Sequence, residues 1–227
     1  MIHASSVNRH AAWPWLTASS AALCIAAGLG AIDAGWQFLF KPLTTLMVIA
    51  FAWPRGSDAP TQRRFIRIGL ALSLVGDVFL LWPVQGFLPG LVAFLLAHLA
   101  YTAAFCVPVK FAAKPLVFMA YAAVAALILS QLWPGVPGAL RVPVLAYVAC
   151  LATMAAQAAS WWRSRAGTAA LDASLARAAA LGGLLFMASD SLLATTKFGA
   201  PLPLSSLWIL LTYWAAQWCI ASALRPR

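Results

Sequence analysis

FLPGLVAFLLAHLAYTAAFCV, the stretch at residues 87–107, contains no Asp, Glu, Lys or Arg. About 20 mostly apolar residues are enough for a helix to cross a bilayer, so this stretch predicts a transmembrane helix. Further apolar stretches elsewhere in the chain are bounded by Pro, Gly or charged residues. The eight predicted spans are residues 13–32, 41–53, 65–82, 87–107, 115–133, 142–162, 175–196 and 203–224, of which the short second span could begin one turn earlier.

The composition of the whole chain supports a membrane protein. Hydrophobic residues make up 63% of the 227 residues and charged residues 9%, against roughly 45–50% and 25% in soluble domains. A soluble chain of this size could not bury so much apolar surface. We therefore expect an all-α polytopic protein in which residues 1–227 form one integral membrane domain surrounded by membrane lipid.

The net charge of +10 does not indicate a nucleic-acid partner. The basic residues are scattered between apolar runs, and no RNA- or DNA-binding motif accompanies them. The four cysteines lie in apolar stretches without C-x-x-C spacing, so we expect buried thiols. Metal-ligand spacing, a Gly-rich phosphate loop and the G-x-S-x-G motif of serine hydrolases are also missing from the sequence. We therefore expect no metal and no cofactor.

The loop charges predict the orientation of the chain. Twelve of the fifteen Lys and Arg residues fall at the two termini and on one set of alternate loops. The other set receives Lys41, Arg141 and Lys197. Under the positive-inside rule, this difference places both termini in the cytoplasm. We expect a location in a bacterial inner membrane, with the first span retained rather than removed as a signal peptide.

Asp77 and Asp190 are the most informative acidic residues, because each lies within a predicted span. A carboxylate near the bilayer centre costs at least about 2.5–3.5 kcal/mol, so each must face protein or water. Small residues let neighbouring helices approach closely and favour an inward-facing position. Those on the two helix faces are Gly69, Ser73, Gly182, Gly183 and Ala194. The alternative to a functional pair is two acids that only hydrogen-bond neighbouring helices together.

The other three acidic residues have simpler explanations. Asp33 lies at a predicted helix end, where a capping role is expected. Asp58 and Asp172 are expected to be solvated in cytoplasmic loops.

Five further polar residues are candidates for supporting the aspartates or binding a substrate. They are Lys41 on the second span, His98 and Tyr101 on the fourth, and Tyr213 and Gln217 on the eighth. A spacing of three or four residues places each pair on one helix face. The alternatives are a core histidine, hydrogen bonds that only join helices, and a lysine that extends to the membrane interface.

Two segments of the chain echo one another. GLALSLVGDVFLL at residues 69–81 and GGLLFMASDSLLA at residues 182–194 share a Gly eight residues before an Asp and a Leu three residues after it. The segments lie four spans apart, as a parallel duplication of four-helix halves would place them. Coincidence in a Leu-rich sequence is an equally good explanation.

Five short motifs extend over nearly the whole chain. They are KPLTT at 41–45, LVGDVFLL at 74–81, FLLAHLAY at 94–101, LLFMASDSLLA at 184–194 and LTYWAAQW at 211–218. In this order and at these intervals they resemble the lysoplasmalogenase (YhhN-like) family of integral membrane proteins. The resemblance implies an eight-span enzyme that hydrolyses the vinyl-ether bond of lysoplasmalogens. The substrate would be a lysophospholipid, and the products a fatty aldehyde and a glycerophospho-headgroup.

The resemblance also implies that Asp77 and Asp190 are the catalytic residues. Vinyl-ether chemistry fits two buried acids, since the bond hydrolyses by protonation at carbon and water captures the resulting oxocarbenium ion. One buried neutral carboxyl group could donate the proton while a second, ionised one stabilises the cation. The more apolar sequence neighbours of Asp77 favour it as the acid.

We expect a lipid-facing pocket lined by spans 2, 3, 4, 7 and 8, with an apolar channel for the tail and a polar mouth. Lys41 and Lys197, both near the outer interface, are candidates to pair with a headgroup phosphate, with ordinary snorkelling as the alternative. A proton-coupled transporter of a small molecule or lipid would also bury Asp and His within its spans. A third alternative is a structural membrane protein, in which replacing either aspartate by Asn would leave activity and fitness unchanged.

Overall fold

The computed structural model describes residues 5–165 and 167–226, with side chains described from residue 12 onward. In this part of the chain the secondary structure is entirely helical, which confirms the all-α class. The helices are α1 (Ser5–Gly28), α2 (Gln37–Ala52), α3 (Pro60–Phe79), α4 (Phe87–Cys106), α5 (Pro115–Leu132), α6 (Arg141–Ser164), α7 (Ala170–Phe198) and α8 (Ser205–Ser222).

Each helix covers one of the predicted spans, and the differences lie at the ends. The second helix begins at Gln37, a turn before the predicted start. The third begins at Pro60 rather than residue 65, because proline is well suited to the first helical position, where its missing N–H has no partner to lose. The fifth begins at Pro115 for the same reason.

Five segments are long and apolar enough to cross a membrane: Ala34–Ala52, Phe87–Cys106, Pro115–Gly135, Gly138–Ser164 and Ala170–Phe198. They contain α2, α4, α5, α6 and α7. The helix α3 falls outside this group because it carries Arg63, Arg64 and Arg67 in its first half and Asp77 near its end. Eight crossings and the cytoplasmic termini therefore stay predictions. Arg9 and Arg227, which entered the charge count, lie outside the described side chains.

Six helices pack side by side in a closed order. The helix α2 contacts α3, followed by α4, α6, α7 and α8, and α8 returns to α2. The helix α1 lies against α2 and α8, and α5 lies against α6. Only Ala125 and Leu132 of α5 are buried, so most of its surface is available to lipid.

Helices four apart in the chain occupy equivalent places in this order. The pairs α1–α2 and α3–α4 correspond to α5–α6 and α7–α8, and the contact of α4 with α6 corresponds to that of α8 with α2. Asp77 on α3 and Asp190 on α7 thus lie on corresponding helices. This is the arrangement that a parallel duplication produces.

Glycines permit the closest of these helix contacts. A Cβ atom at Gly69 would lie 2.3 Å from the ring of Tyr101, and one at Gly76 would lie 2.5 Å from the ring of Phe94. On α7, a Cβ atom at Gly183 would lie 2.9 Å from the Cα atom of Ala155. The small-residue faces predicted beside the two aspartates are therefore helix interfaces.

The three remaining acids have structural roles away from the interior. Asp33 caps the short 3₁₀ turn Ala34–Trp36, as expected, and its Oδ1 atom accepts a 2.8 Å hydrogen bond from the Gly35 N–H. Asp58 and Asp172 both pair with Arg225, at 3.3 Å and 2.9 Å. Asp172 lies in the first turn of α7 rather than in a loop, because α7 begins earlier than predicted. These ion pairs are exposed and contribute little to stability.

Candidate active site

One cavity of about 230 Å³ is lined by both Asp77 and Asp190. Its lining includes Pro83 from the α3–α4 connection and Val136 from the α5–α6 connection. Every helix except α1 contributes to its lining. The sequence prediction of spans 2, 3, 4, 7 and 8 omitted α5 and α6, because their contribution is mostly apolar and carries no chemical signature. The lining from these two helices is Ala125, Ile128, Leu129, Leu132, Val144, Tyr147, Val148, Leu151 and Ala152.

The carboxyl group of Asp77 has three partners and is 1% exposed. Its Oδ2 atom accepts hydrogen bonds from the Thr45 hydroxyl at 2.6 Å and from the Tyr213 hydroxyl at 2.7 Å. The Lys41 ammonium lies 4.0 Å from Oδ1. Two donors and a cation all favour the ionised carboxylate. These three partners therefore stabilise a negative charge on Asp77, although burial of the carboxyl group opposes it.

A chain of hydrogen bonds orients the Tyr213 hydroxyl. The Gln217 side chain donates to the Tyr213 oxygen at 3.2 Å, and the Tyr101 hydroxyl donates to Gln217 Oε1 at 2.7 Å. Because the Tyr213 oxygen already accepts from Gln217, its own proton is directed to Asp77. All three residues of this chain are at most 4% exposed. Tyr101, Tyr213 and Gln217 are thus brought together behind Asp77.

Thr45 is held in a similar way and was not among the predicted site residues. The Trp214 indole N–H donates to the Thr45 oxygen at 3.2 Å, and Thr45 donates onward to Asp77. Both residues lie in motifs that the sequence displayed, KPLTT and LTYWAAQW. The sequence did not show that these two motifs meet.

Asp190 has a sparser environment than Asp77. It is partly buried, and its Oδ2 atom accepts a hydrogen bond from the Tyr147 hydroxyl. Among the described residues, no basic side chain lies within ion-pair distance of Asp190. A carboxyl group without a cation, facing a mostly apolar cavity, is more stable in its neutral form. Tyr147 lies on the sixth predicted span and Asp190 on the seventh. Helical spacing relates residues of one helix only, so the sequence did not predict their contact.

His98 was expected to support the carboxyl groups through hydrogen bonds. It is fully buried but makes no hydrogen bond to either group. Its ring packs against Phe186 and Tyr147, with centroid distances of 4.6 Å and 5.2 Å. Neither ring nitrogen has a hydrogen-bond partner among the described residues. The prediction of a hydrogen bond was wrong because the side chain of His98 packs among aromatic rings. Its contact with the site is through the ring of Tyr147.

The two lysines that were candidates for phosphate binding occupy different environments. Lys41 is 9% exposed and lies beside Asp77, so it neither extends to the interface nor stands free for a headgroup. Lys197 is exposed at the edge of the cavity. Its ammonium donates to the Pro83 carbonyl at 3.3 Å and lies 4.8 Å from the centre of the Phe87 ring.

The pair of carboxyl groups therefore combines one environment that favours charge with one that favours the neutral acid. Such a difference is what acid–base catalysis by two carboxyl groups requires. No group of three or more His, Cys, Asp or Glu residues that could hold a metal ion occurs in the described part of the chain.

The fold and the site together define a polytopic α-helical membrane protein with two carboxyl groups in one cavity. Within this class, the YhhN family matches residues 36–224 of the chain. The chain belongs to the YhhN family, and the resemblance found in the five motifs is confirmed.

Several curated proteins are similar to the chain. Lysoplasmalogenase TMEM86A of Bos taurus is 36% identical, covering 71% of this chain and 66% of its own length. Lysoplasmalogenase TMEM86B of Homo sapiens is 35% identical, covering 82% of this chain and 75% of its own. The membrane protein YhhN of Escherichia coli O157:H7 is 32% identical, covering 67% of this chain and 74% of its own length. The chain thus spans slightly less than two thirds of the TMEM86A relatives. No solved structure matches the chain.

Proposed function

We propose that the protein is a hydrolase that cleaves the vinyl-ether bond of lysoplasmalogens, releasing a fatty aldehyde and a glycerophospho-headgroup. The names of the mammalian relatives support the reaction class. The observation that carries the proposal is that Asp77 and Asp190 line one cavity in contrasting environments.

The chemistry has two requirements. A proton must be added to the alkenyl carbon that is not bonded to the ether oxygen, which leaves an oxocarbenium ion. Water must then add to this ion and release a proton to a carboxylate, giving a hemiacetal that separates into the aldehyde and the glycerol hydroxyl. Protonation needs a neutral acid at near-neutral pH, and the cation needs a nearby negative charge.

The proposal gives the two aspartates roles in the reverse of the order suggested by their sequence neighbours. Asp190, which has no cation beside it, is the proton donor in this proposal. Asp77, which has Lys41, Thr45 and Tyr213 as partners, is the carboxylate that stabilises the oxocarbenium ion and orients water. Local sequence favoured Asp77 as the acid because its helix neighbours are apolar, but its partners come from α2 and α8.

The cavity also suits a single-chain lipid. Its wall from α5 and α6 is apolar apart from Tyr147, and α5 presents most of its surface outward. The alkenyl tail would lie along this wall, which places the ether oxygen between the tail and the polar mouth. Both aspartates line the same cavity, so the scissile bond would be placed between them.

The proposal includes a topology and a location. Eight helices would cross the membrane, with both termini and the basic loops in the cytoplasm, and the membrane would be a bacterial inner membrane. Cysteines introduced at residues 55–60 and 134–140 should react with an impermeant thiol reagent from opposite sides. Labelling of both loops from the same side would contradict this topology.

The test of the activity uses the purified protein in detergent with a 1-alkenyl lysophospholipid and measures aldehyde release. Asp77→Asn and Asp190→Asn should each lose a factor of about 10²–10⁴ in rate, because Asn cannot carry the proton or the charge. Asp172→Asn is the matched control, since that acid is exposed and lies outside the cavity.

Retention of more than about a tenth of the wild-type rate by either cavity variant would contradict the two-carboxyl mechanism. Uptake of a lipid into vesicles by wild-type protein, without aldehyde release, would instead favour the transporter alternative.

A further inference from the structure

We propose that Lys197 binds the headgroup phosphate at the mouth of the cavity and makes the enzyme selective for phosphate-bearing lysolipids. This inference rests on the proposed function, because it concerns the substrate of the same site.

The charges in the cavity leave one cation without an acidic partner. Four ionisable side chains line the cavity, namely Lys41, Asp77, Asp190 and Lys197. Lys41 lies 4.0 Å from Asp77, and its side chain is 11% exposed. Lys197 has no acidic side chain within ion-pair distance among the described residues. A phosphate entering the cavity would therefore be attracted to Lys197 without competing with Asp77.

The position of Lys197 along α7 matches the dimensions of a lysolipid. Lys197 follows Asp190 by seven residues, which is close to two helical turns and places both on one face, about 10 Å apart along the axis. In a 1-alkenyl lysophospholipid, the carbon that is protonated and the phosphorus atom are separated by seven bonds. At about 1.2–1.3 Å of extension per bond, this separation is about 9 Å.

Local contacts hold the Lys197 ammonium at the cavity mouth. It donates one hydrogen bond to the Pro83 carbonyl and lies over the Phe87 ring, and both residues also line the cavity. An ammonium has three donors, so two remain for phosphate oxygens. The contacts with the α3–α4 connection limit the rotamers of a side chain that would otherwise be mobile, which reduces the entropy lost on binding.

The experiment compares two substrates on the same enzyme preparations. One substrate is a 1-alkenyl lysophospholipid, and the other is the corresponding 1-alkenylglycerol without phosphate. The measured quantity is the ratio of their kcat/KM values, so any partial loss of folded protein cancels. The variants are Lys197→Gln, Lys197→Arg and Arg141→Gln. Arg141 is the first residue of α6, packs over Trp133 and does not line the cavity, so it controls for general attraction of anionic micelles.

We expect Lys197→Gln to reduce the ratio by about tenfold or more, mainly through a higher KM for the phospholipid, because a charge-assisted hydrogen bond is lost. Lys197→Arg should restore most of the ratio, and Arg141→Gln should leave it within about twofold. An unchanged ratio in Lys197→Gln would overturn the inference while leaving the proposed function intact. Absence of aldehyde from both substrates with wild-type protein would overturn the proposed function and this inference with it.

Discussion

Asp77 and Asp190 lie on corresponding helices of two similarly packed halves, yet their surroundings differ in charge. Asp77 accepts two hydrogen bonds and has Lys41 beside it, whereas Asp190 accepts one hydrogen bond, from Tyr147. The first is almost fully buried, and the second is partly open to the cavity. A repeated scaffold therefore presents two carboxyl groups whose neighbours favour opposite protonation states.

The difference between their surroundings shows how one fold can supply an acid and an anion from the same residue type. Burial alone would favour the neutral form of both groups. What separates them is the set of partners supplied by other helices, α2 and α8 for Asp77 and α6 for Asp190. Changing those partners one at a time should therefore affect the two carboxyl groups differently.

Removing Lys41 should have the largest effect, because it leaves the Asp77 carboxylate buried without its cation. Breaking a buried ion pair by removing one partner costs about 3–5 kcal/mol. We expect Lys41→Met to lower the thermal unfolding midpoint in detergent substantially, and the double variant Lys41→Met/Asp77→Asn to recover most of the loss. Lys110→Met, at an exposed loop lysine, is the control. A double variant no more stable than Lys41→Met would contradict an ionised Asp77.

The two tyrosines that donate to the aspartates should differ in their effect on rate. Tyr213→Phe removes a hydrogen bond to a charged group, worth about 1.5–3 kcal/mol, so kcat should fall about 10- to 100-fold. Tyr147→Phe removes a bond to a neutral acid, worth about 1 kcal/mol, and should cost about fivefold. Tyr121→Phe, on α5 and outside the cavity lining, is the matched control. A larger loss in Tyr147→Phe than in Tyr213→Phe would reverse the assignment of roles.

His98→Phe should have the smallest effect. The histidine contributes ring packing against Tyr147 and Phe186 but no hydrogen bond among the described residues. Since a buried polar group without a partner costs stability, Phe should leave the unfolding midpoint equal or higher. Aldehyde release should stay within about twofold to threefold of wild type. A loss as large as that of Tyr213→Phe would show that His98 takes part in the chemistry.

Much of this structure could be predicted from the sequence because its signals are local. Apolar run length predicted the positions of all eight helices, and helical spacing grouped Tyr213 with Gln217 on α8. The cost of burying a charge singled out Asp77 and Asp190. These features depend on a residue and its neighbours along one helix.

The other features of the site depend on which helices contact each other, and the sequence patterns used above do not predict those contacts. The helix α4 packs against α6 rather than α5, so the contact of His98 with Tyr147 could not be deduced from spacing. Lys41 looked like an interfacial lysine because it stands near a helix start, and only its approach to α3 pairs it with Asp77. The partners that lead us to propose Asp190 rather than Asp77 as the acid also come from other helices.

The proposed mechanism requires that Asp190 is protonated while Asp77 is ionised in the resting protein. Infrared spectroscopy of the purified protein at neutral pH can detect this difference, because a protonated carboxyl group has a carbonyl stretch separate from the amide and carboxylate bands. We expect such a band in wild-type protein, its loss in Asp190→Asn and its retention in Asp77→Asn. Loss of the band in Asp77→Asn together with its retention in Asp190→Asn would show that Asp77, and not Asp190, is the protonated acid.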